Sequence, residues 1–355
     1  MKIFSVSQTT TLVISLSCSF GHSALAAAPK PTVSSKTTIE RDMSAPKTES
    51  DVAVKKLESE YYACRYEAVI SGCNQLLLKT QNPQIYLLRS RAHMRLFDFK
   101  SAKDDLKLAE KQGLNVAGYL EELAAYEYDH VHAESDPSKR FALACSAPMF
   151  EFNRQGFESL PGQEPTMQKS AIELRRLLKW WRITNKADLE RTIGTLTKGE
   201  MHHPVWMQLW RSYKRDPAKV EALERGSVRL QLVKKYGDRF GERGSLAFDL
   251  GRVVSLSRWG YVAGYFNEEE AFRFMLPAAV RIQQNYKSWD DYIESYFVGR
   301  KFWNPDSYSS DPVRVDRVIQ TLTLNPNGLK KIPWDTKLNV PQSQSSGWKL
   351  PWEAK

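Results

Sequence analysis

The sequence predicts an all-α protein in which a short helical solenoid is followed by a compact helical domain. Apolar residues recur at the spacing of a helix face from Asp51 onward. Capping residues and helix breakers divide the chain into segments of helix length, and no segment shows the alternation that is typical of a strand. With 355 residues, of which 42% are hydrophobic, the chain is long enough for roughly two or three domains.

Residues 1–26 have the pattern of a secretory signal peptide. Lys2 supplies the positive start, Thr11–Ser19 is an apolar stretch too short to span a bilayer, and Ala24-Leu25-Ala26 is a typical cleavage site. We therefore expect export to the periplasm of a Gram-negative cell and a soluble protein after cleavage. A lipoprotein anchored through Cys18 is the alternative, although Ser15 stands where that signal normally has Leu. Residues 27–50 are rich in Pro, Ser, Thr and Lys and predict a disordered tether.

Residues 51–133 predict stacked helical hairpins. The segment Tyr86–Asn115 resembles a tetratricopeptide repeat, because small residues stand where the two helices of a repeat approach each other. These small residues are Ala92, Ala102 and Ala109. Glu58–Gln81 resembles a degenerate preceding repeat, and Val116–Tyr128 is either the first helix of a third repeat or a cap. Helical hairpins of a general kind are the alternative. Such repeats commonly bind a protein or peptide, which is the partner we expect.

Residues 134–167 predict a linker, because Pro and Gly are dense there. All ten Trp residues lie at or after Trp180, and this change in composition supports a domain boundary near residue 165. Residues 168–303 then form the second helical domain. Residues 304–355 predict an extended arm held by its Trp side chains, or alternatively a flexible tail that binds a partner.

Local signals define the helices of the second domain. Thr184 or Asn185 caps a helix that ends at Gly199, and Asn267 with Glu270 forms a capping box. Ser288 caps a further helix that begins at Trp289. Each of these signals fixes where a helix begins or ends.

The stretch Ser245–Trp303 contains four linked motifs: Asp249-x-x-Arg252, Arg258-Trp-Gly-Tyr261, the Glu-rich helix start at residues 268–270, and the helix that runs from Trp289 to Gly299-Arg-x-x-Trp303. On these motifs the stretch resembles the core of the domain-of-unknown-function family 1266, and the resemblance extends over about residues 168–303. The chain departs from the family at residues 199–203, where a Gly-His is replaced by Gly-Glu-Met-His-His. The resemblance names a family and implies no reaction.

The same stretch contains the candidate site. The polar cluster that we predict consists of Asp249, Arg252, Arg258, Glu270 and Arg300. Two interpretations are open: a site that binds an anion or performs acid–base chemistry, and an ion-pair network that fixes the helices in register.

The Trp residues of this stretch are candidates for aromatic packing. They are Trp259, Trp289 and Trp303. Arg252 and Trp259 lie seven residues apart on one helix face, so we expect the guanidinium to stack on the indole.

The sequence offers no metal site and no cofactor motif. His202 and His203 are adjacent and point in different directions, and His130-x-His132 gives no better spacing. Cys64, Cys73 and Cys145 match no zinc pattern, and either a Cys64–Cys73 disulfide or three buried thiols would fit. We expect no cofactor and no metal.

The net charge of +10 indicates at most a weak contact with an anionic surface, and we expect no nucleic acid as a partner. The sequence thus favours an exported protein-interaction protein of the adaptor or toxin-antagonist type. The alternative is an enzyme or a small-anion-binding protein centred on the Asp/Arg/Glu cluster.

Overall fold

Helices form nearly all of the regular structure in the computed structural model, which describes residues 49–305 and 312–340. The helices of the first part are α1 (Glu49–Tyr62), α2 (Tyr66–Leu77), α3 (Pro83–Arg95), α4 (Phe99–Lys111) and α5 (Ala117–Val131). The remaining helices are α6 (Pro137–Ala144), α7 (Ala147–Phe152), α8 (Met167–Trp181), α9 (Lys186–Lys198), α10 (His203–Arg215), α11 (Pro217–Leu223), α12 (Val228–Phe240), α13 (Leu246–Val262), α14 (Glu268–Asn285), α15 (Trp289–Trp303) and α16 (Pro312–Leu324). No strand occurs in these two ranges, so the all-α prediction is confirmed for them.

The predicted signal peptide and Cys18 lie outside the described residues, as does nearly all of the predicted tether. Across the described part of the chain, every helix is too short or too polar to cross a membrane. Cys64, Cys73 and Cys145 are free and buried, so the structure contains no Cys64–Cys73 disulfide.

Helices α1 to α5 form consecutive hairpins with their own small cores. Asn82 and Asp98 cap α3 and α4 through their side chains. The three small residues are fully buried. Ala92 of α3 lies in the core that α3 shares with α1 and α2, and Ala102 and Ala109 of α4 lie in the core that α4 shares with α3 and α5. Replacing any of them by a larger residue would force the helices apart, because packed interiors leave little free volume.

Helix α13 lies at the centre of the second part and packs against α7, α8, α9, α14 and α15. Almost every residue of α13 is buried, which is expected of a helix surrounded on all sides. Two glycines permit the closest contacts. A Cβ at Gly251 would lie 2.6 Å from the Tyr292 hydroxyl, and one at Gly260 would lie 2.5 Å from Leu189.

The prediction of a linker at residues 134–167 is wrong. This segment contains α6 and α7, and Phe141 and Phe150 are fully buried in the largest hydrophobic core. The prolines indicated breaks between helices, but Pro137 and Pro148 stand in the first turns of helices, where proline is tolerated.

Residues 155–162, which we call loop 155–162, form a closed turn in the interior. The Gly156 amide donates to the Gly162 carbonyl at 2.9 Å. Asp129 of α5 accepts hydrogen bonds from the Glu158 and Ser159 amides at 2.8 and 2.7 Å. A Cβ at Gly156 would lie 2.0 Å from the Asp129 carboxylate, so the loop can approach α5 only with glycine at this position.

Residues 49–305 and 312–340 belong to one compact unit, which includes both the hairpins and the second part. Arg95 at the end of α3 forms a salt bridge with Glu151 of α7, and the Tyr126 hydroxyl of α5 donates to the same carboxylate at 2.7 Å. The Arg317 guanidinium of α16 lies 4.2 Å from the centre of the Tyr62 ring on α1. Polar and cation–π contacts therefore join the hairpins to the helices that follow.

The C-terminal arm is not extended throughout, because it contains α16. Beyond α16, Trp334 packs against Trp289 and Phe141, with ring centres 5.0 and 5.5 Å away. The Trp289 indole also donates to the Ile332 carbonyl at 2.8 Å. Trp348 and Trp352 lie outside the described residues.

Substitution of the loop glycine tests the contact between loop 155–162 and α5. We expect Gly156→Ala to lower the free energy of unfolding by about 2 kcal/mol or more, because the new methyl group would displace the Asp129 carboxylate. The measurement is thermal and denaturant unfolding followed by circular dichroism.

Gly194→Ala is the matched control. Gly194 lies inside α9, and a Cβ there would meet nothing within 4 Å. This control should raise stability by up to about 1 kcal/mol, since alanine is the better helix former. Equal effects of the two substitutions would contradict the contact between the loop and α5.

Candidate functional site

The five residues of the predicted polar cluster do not meet in one site. Asp249 and Arg252 are buried on α13 and form a salt bridge with each other. Arg258 is also buried on α13 but binds loop 155–162. Glu270 and Arg300 contact other groups on other helices. The structure therefore brings together only the first pair.

The Asp249 carboxylate caps the N-terminus of a neighbouring helix. It accepts a hydrogen bond from the His203 amide at 3.3 Å, in the first turn of α10. His202, the N-cap residue of α10, makes no capping hydrogen bond with its own side chain. Because amide groups at a helix N-terminus point outward with partial positive charge, a carboxylate from α13 can take over that function. Burial raises the pKa of Asp249, and Arg252 opposes that shift.

Aromatic rings surround the Arg252 guanidinium. Its central carbon lies 4.0 Å from the ring centre of Phe248, 5.4 Å from Trp181 and 5.8 Å from Trp303. The predicted stacking of Arg252 on Trp259 is wrong. Instead, the Arg176 guanidinium of α8 lies 5.0 Å from the centre of the Trp259 ring. The Asp249–Arg252 pair is thus enclosed by apolar rings, an arrangement that holds helices in register.

Arg258 is the most completely bonded charge of the cluster. Its guanidinium donates to the carbonyls of Leu160, Gly156 and Ser159 at 2.9, 3.0 and 2.6 Å. It also donates to the Ser146 hydroxyl at 2.6 Å and lies 3.6 Å above the Phe150 ring. Burial lowers the pKa of Arg258 to about 9, while the nearby Asp129 carboxylate raises it. The N–H groups of Arg258 therefore bind the protein's own backbone and the Ser146 hydroxyl.

Glu270 and Arg300 also have structural partners. Glu270 completes the capping box of α14 with Asn267, as predicted, and forms a salt bridge with Lys186. The Arg300 guanidinium lies 4.2 Å from the centre of the Phe152 ring, and Arg314 lies at the same distance from that ring. Phe152 thereby joins α15 and α16 to α7.

The histidines before α10 are held in their neutral form. Burial lowers the pKa of His202 to about 3 and that of His203 to about 4, and nearby arginines add to both shifts. The His202 ring packs edge-on against Trp303, with ring centres 5.7 Å apart. Within the described ranges, no three His, Cys, Asp or Glu side chains are arranged to hold a metal ion.

Sequence reasoning missed the residues that connect the site to the rest of the fold. The Trp259 indole donates to Gln155, and the Gln155 amide donates to the buried Glu173 of α8, each at 3.2 Å. Gln155 lies at the start of loop 155–162, where the dense Gly and Pro residues were the only available signal. Such breakers can mark an internal turn as well as a linker.

A cleft opens beside this loop, where α3, α5 and the residues after α16 meet. Met94, Phe97, Tyr126, Phe157, Asn325 and Asn327 are among its lining residues. Phe97 has a φ of 62°, which is unusual for a bulky residue, and its ring stacks on His130 with centres 3.9 Å apart.

Arg95, Asp129 and Glu158 also line the cleft. Each is held by another part of the chain, because Arg95 pairs with Glu151, Asp129 accepts a hydrogen bond from the Ser159 amide, and Glu158 pairs with His130.

Replacement of Arg258 tests whether it organises the fold. We expect Arg258→Lys to lower the free energy of unfolding by about 3 kcal/mol, because an ammonium group cannot reach three carbonyls and a hydroxyl in the plane of a guanidinium. Arg215→Lys, at an exposed position of α10, should change it by less than about 0.5 kcal/mol. Chemical denaturation measures both, and similar losses for the two variants would contradict this function of Arg258.

Acidification should destabilise the protein through His202. Its ordinary pKa of 6.5 falls to about 3 in the folded chain, so the unfolded chain binds the extra proton between these pH values. Stability from the neutral ring is therefore complete above pH 6.5 and is lost as pH falls toward 3. At pH 5 the loss should be roughly 2 kcal/mol.

We expect His202→Phe to make the decrease in stability between pH 7 and pH 5 smaller by this amount. Denaturant unfolding at both pH values is the measurement. His132→Phe, at an exposed position, is the control and should leave the decrease unchanged. A decrease in His202→Phe as large as that of the unsubstituted protein would show that His202 is not buried in neutral form.

Comparison with known proteins places the second part of the chain in a family. The family model described as a protein of unknown function (DUF1266) matches residues 176–334, which begin in α8 and end after α16. The uncharacterized protein YbeU of Escherichia coli (strain K12) is 32% identical over 168 residues, covering 45% of this chain and 69% of that protein. The uncharacterized protein YbeR of the same bacterium is 29% identical over 133 residues, covering 35% and 54%. No solved structure matches the chain. The family model matches residues 176–334, and the chain covers more than two thirds of YbeU at 32% identity. The chain therefore belongs to the DUF1266 family.

Proposed function

We propose that this chain is a protein-interaction protein of the adaptor or toxin-antagonist type, in which α1–α5 form a short tetratricopeptide-like array that binds a protein or peptide. The observation that carries the proposal is the packing of α3 on α4 through the fully buried Ala102 and Ala109 of α4. Helical repeats use such small residues to bring their two helices together. Arrays of this kind present extended surfaces to protein segments.

Catalysis is the weaker alternative because the charged residues that were candidates for it serve the fold. Asp249 caps α10, Arg252 neutralises Asp249, and Arg258 binds backbone carbonyls. None of these three residues is more than 2% exposed. A substrate would have to displace buried hydrogen bonds to reach them, which carries a large free-energy penalty.

The covered parts of the array limit where a partner can bind. The C-terminal ends of α1 and α3 lie against the chain's own α16 and α7, through Arg317–Tyr62 and Arg95–Glu151. Tyr126 of α5 also contacts α7, through its hydrogen bond to Glu151.

Exposed apolar side chains remain elsewhere on the hairpins. Leu78 after α2 is 88% exposed, and Leu108 on α4 is 38% exposed. We assign partner binding to this outer surface of the hairpins.

The proposal includes export to the periplasm, which rests on the signal-peptide pattern of residues 1–26. An oxidising compartment is compatible with three cysteines that are all buried and so protected from oxidants. A toxin antagonist and a recruiting adaptor would differ in the identity of the partner rather than in the surface that binds it.

Site-specific photo-crosslinking in cells tests both binding and location. A photoreactive phenylalanine analogue is placed at Leu78, at Leu108 or, as the control, at Leu223 of α11, which is 71% exposed. After irradiation and separation of the periplasm, we expect a discrete adduct from Leu78 or Leu108 and none from Leu223. Mass spectrometry of the adduct identifies the partner and distinguishes a toxin from a component to be recruited. No adduct at either hairpin position, or the same adduct at all three, would overturn the interaction proposal, and recovery of the chain only in the cytoplasm would overturn export.

A further inference from the structure

The cleft beside loop 155–162 is bounded by four segments of the chain. These are the end of α3, the second half of α5, the loop itself and residues 325–328. The cleft holds about 410 Å³ of empty space, part of it open to solvent. Sites for small molecules have volumes from about 300 Å³ upward. Four bounding segments and this volume suit a single small molecule better than an extended chain.

Asn325 brings an unused hydrogen-bond donor to the cleft. The residue is only 6% exposed, and its Oδ1 atom accepts a hydrogen bond from the Asn327 amide at 3.0 Å. Because the Asn327 N–H can bond only to an oxygen, this contact fixes the orientation of the side-chain amide. Its Nδ2 atom finds no acceptor within residues 49–305 and 312–340. A ligand that supplies an oxygen would satisfy this donor and gain free energy from it.

Aromatic rings form the apolar part of the cleft. Phe97, Tyr126 and Phe157 line it together with Met94. Phe97 follows the end of α3 with a φ of 62°, a position at which glycine is ordinarily favoured. The ring stacks on His130. The chain therefore carries a bulky ring where the backbone alone favours glycine, and this ring gives the cleft an apolar wall.

The charges around the cleft favour a neutral ligand. Glu158 bonds to His130 through Oε2, and its other carboxylate oxygen accepts no hydrogen bond from the part of the chain that the structure describes. An anionic ligand would be repelled by Glu158. A cationic ligand would meet the N–H of Asn325 and the Lys331 ammonium, which lies 5.4 Å from the centre of the Phe97 ring. A carboxamide meets neither obstacle, since it is neutral and both accepts and donates hydrogen bonds.

We propose that the cleft binds a small neutral molecule that has an apolar body and a carboxamide group. The carbonyl oxygen of the ligand accepts a hydrogen bond from Asn325 Nδ2, and its N–H donates to the Glu158 carboxylate. The apolar body packs against Phe97 and Phe157. This small-molecule site is separate from partner binding on the outer surface of the hairpins.

Probes of similar shape and different charge test the proposal. They are phenylacetamide, phenylacetate and phenethylammonium, and ligand-detected nuclear magnetic resonance titration of the full chain measures the dissociation constant of each. We expect phenylacetamide to bind at about 1 mM or below, and the two ions to bind at least about tenfold more weakly. Binding of either ion as tight as that of phenylacetamide, or no binding of phenylacetamide at about 10 mM, would overturn the proposal.

Replacement of Asn325 tests the assignment of the donor. Asn325→Asp keeps the acceptor for the Asn327 amide and replaces the N–H donor by a charged oxygen. Binding of phenylacetamide should fall about tenfold or more, because its carbonyl would face an oxygen, while phenethylammonium should bind more tightly than it does to the unsubstituted chain.

Asn339→Asp is the matched control for this change of charge. Asn339 is exposed and does not line the cleft. This variant should leave the affinities for both probes within about twofold of those of the unsubstituted chain. No gain in phenethylammonium binding by Asn325→Asp, or equal changes in the two variants, would overturn the assignment to Asn325.

Removal of the Phe97 ring tests the apolar wall. Phe97→Gly suits a φ of 62°, so the helices should be retained, which circular dichroism checks. Binding of phenylacetamide should fall about tenfold or more, because the ring no longer covers the apolar body of the probe. Unchanged binding would place the probe outside the cleft and overturn the proposal.

Discussion

The buried guanidinium of Arg258 is the constraint on which the arrangement of this chain depends. A charge without solvent must be surrounded by hydrogen-bond acceptors. Loop 155–162 supplies three carbonyls, and Ser146, the N-cap residue of α7, supplies a hydroxyl. The same loop places its own amides on Asp129 of α5, which carries the opposite charge. One residue of the central helix thus determines the shape of a loop, and the loop determines where the hairpins attach. Removing either charge would leave its partners buried without compensation.

The same principle recurs where other helices meet. Asp249 and Arg252 join α13 to the start of α10, and Arg95 with Glu151 joins α3 to α7. The hairpins keep hydrophobic cores of their own, distinct from the large core around α13. Apolar packing therefore stabilises each group of helices, while buried polar pairs select how the groups are oriented. Such pairs tolerate little displacement, because a shift of one helix turn would leave a charge unpaired in the interior.

Local features of the fold could be predicted from the sequence, and long-range ones could not. The capping box of Asn267 and Glu270, the cap at Ser288 and the end of α9 at Gly199 involve residues at most four apart, so the sequence alone determines them. The partners of Arg258 lie about a hundred residues earlier in the chain, and no spacing rule reaches that far. The interpretation of Arg252 and Trp259 failed for the same reason. Their shared helix face was identified correctly, but the rings and cations that pack on it come from α8 and α15.

The charged residues at the centre are used by the fold, and the proposed partner binding lies on the outer surface of the hairpins. The same buried contacts determine how the hairpins are placed relative to α8. Glu173 ties α8 to Gln155 of loop 155–162, and Asp129 ties that loop to α5. A partner bound to the hairpins would therefore be held relative to α8 through a short chain of buried hydrogen bonds. Coupling between two binding sites requires an element with two alternative arrangements of different ligand affinity. If these buried hydrogen bonds were displaced, polar groups would be left unpaired in the interior. The hydrogen bonds therefore favour a single arrangement of α5, the loop and α8. The link is suited to fixing the distance and orientation of a bound partner relative to the second part of the chain, which is the property that an adaptor requires.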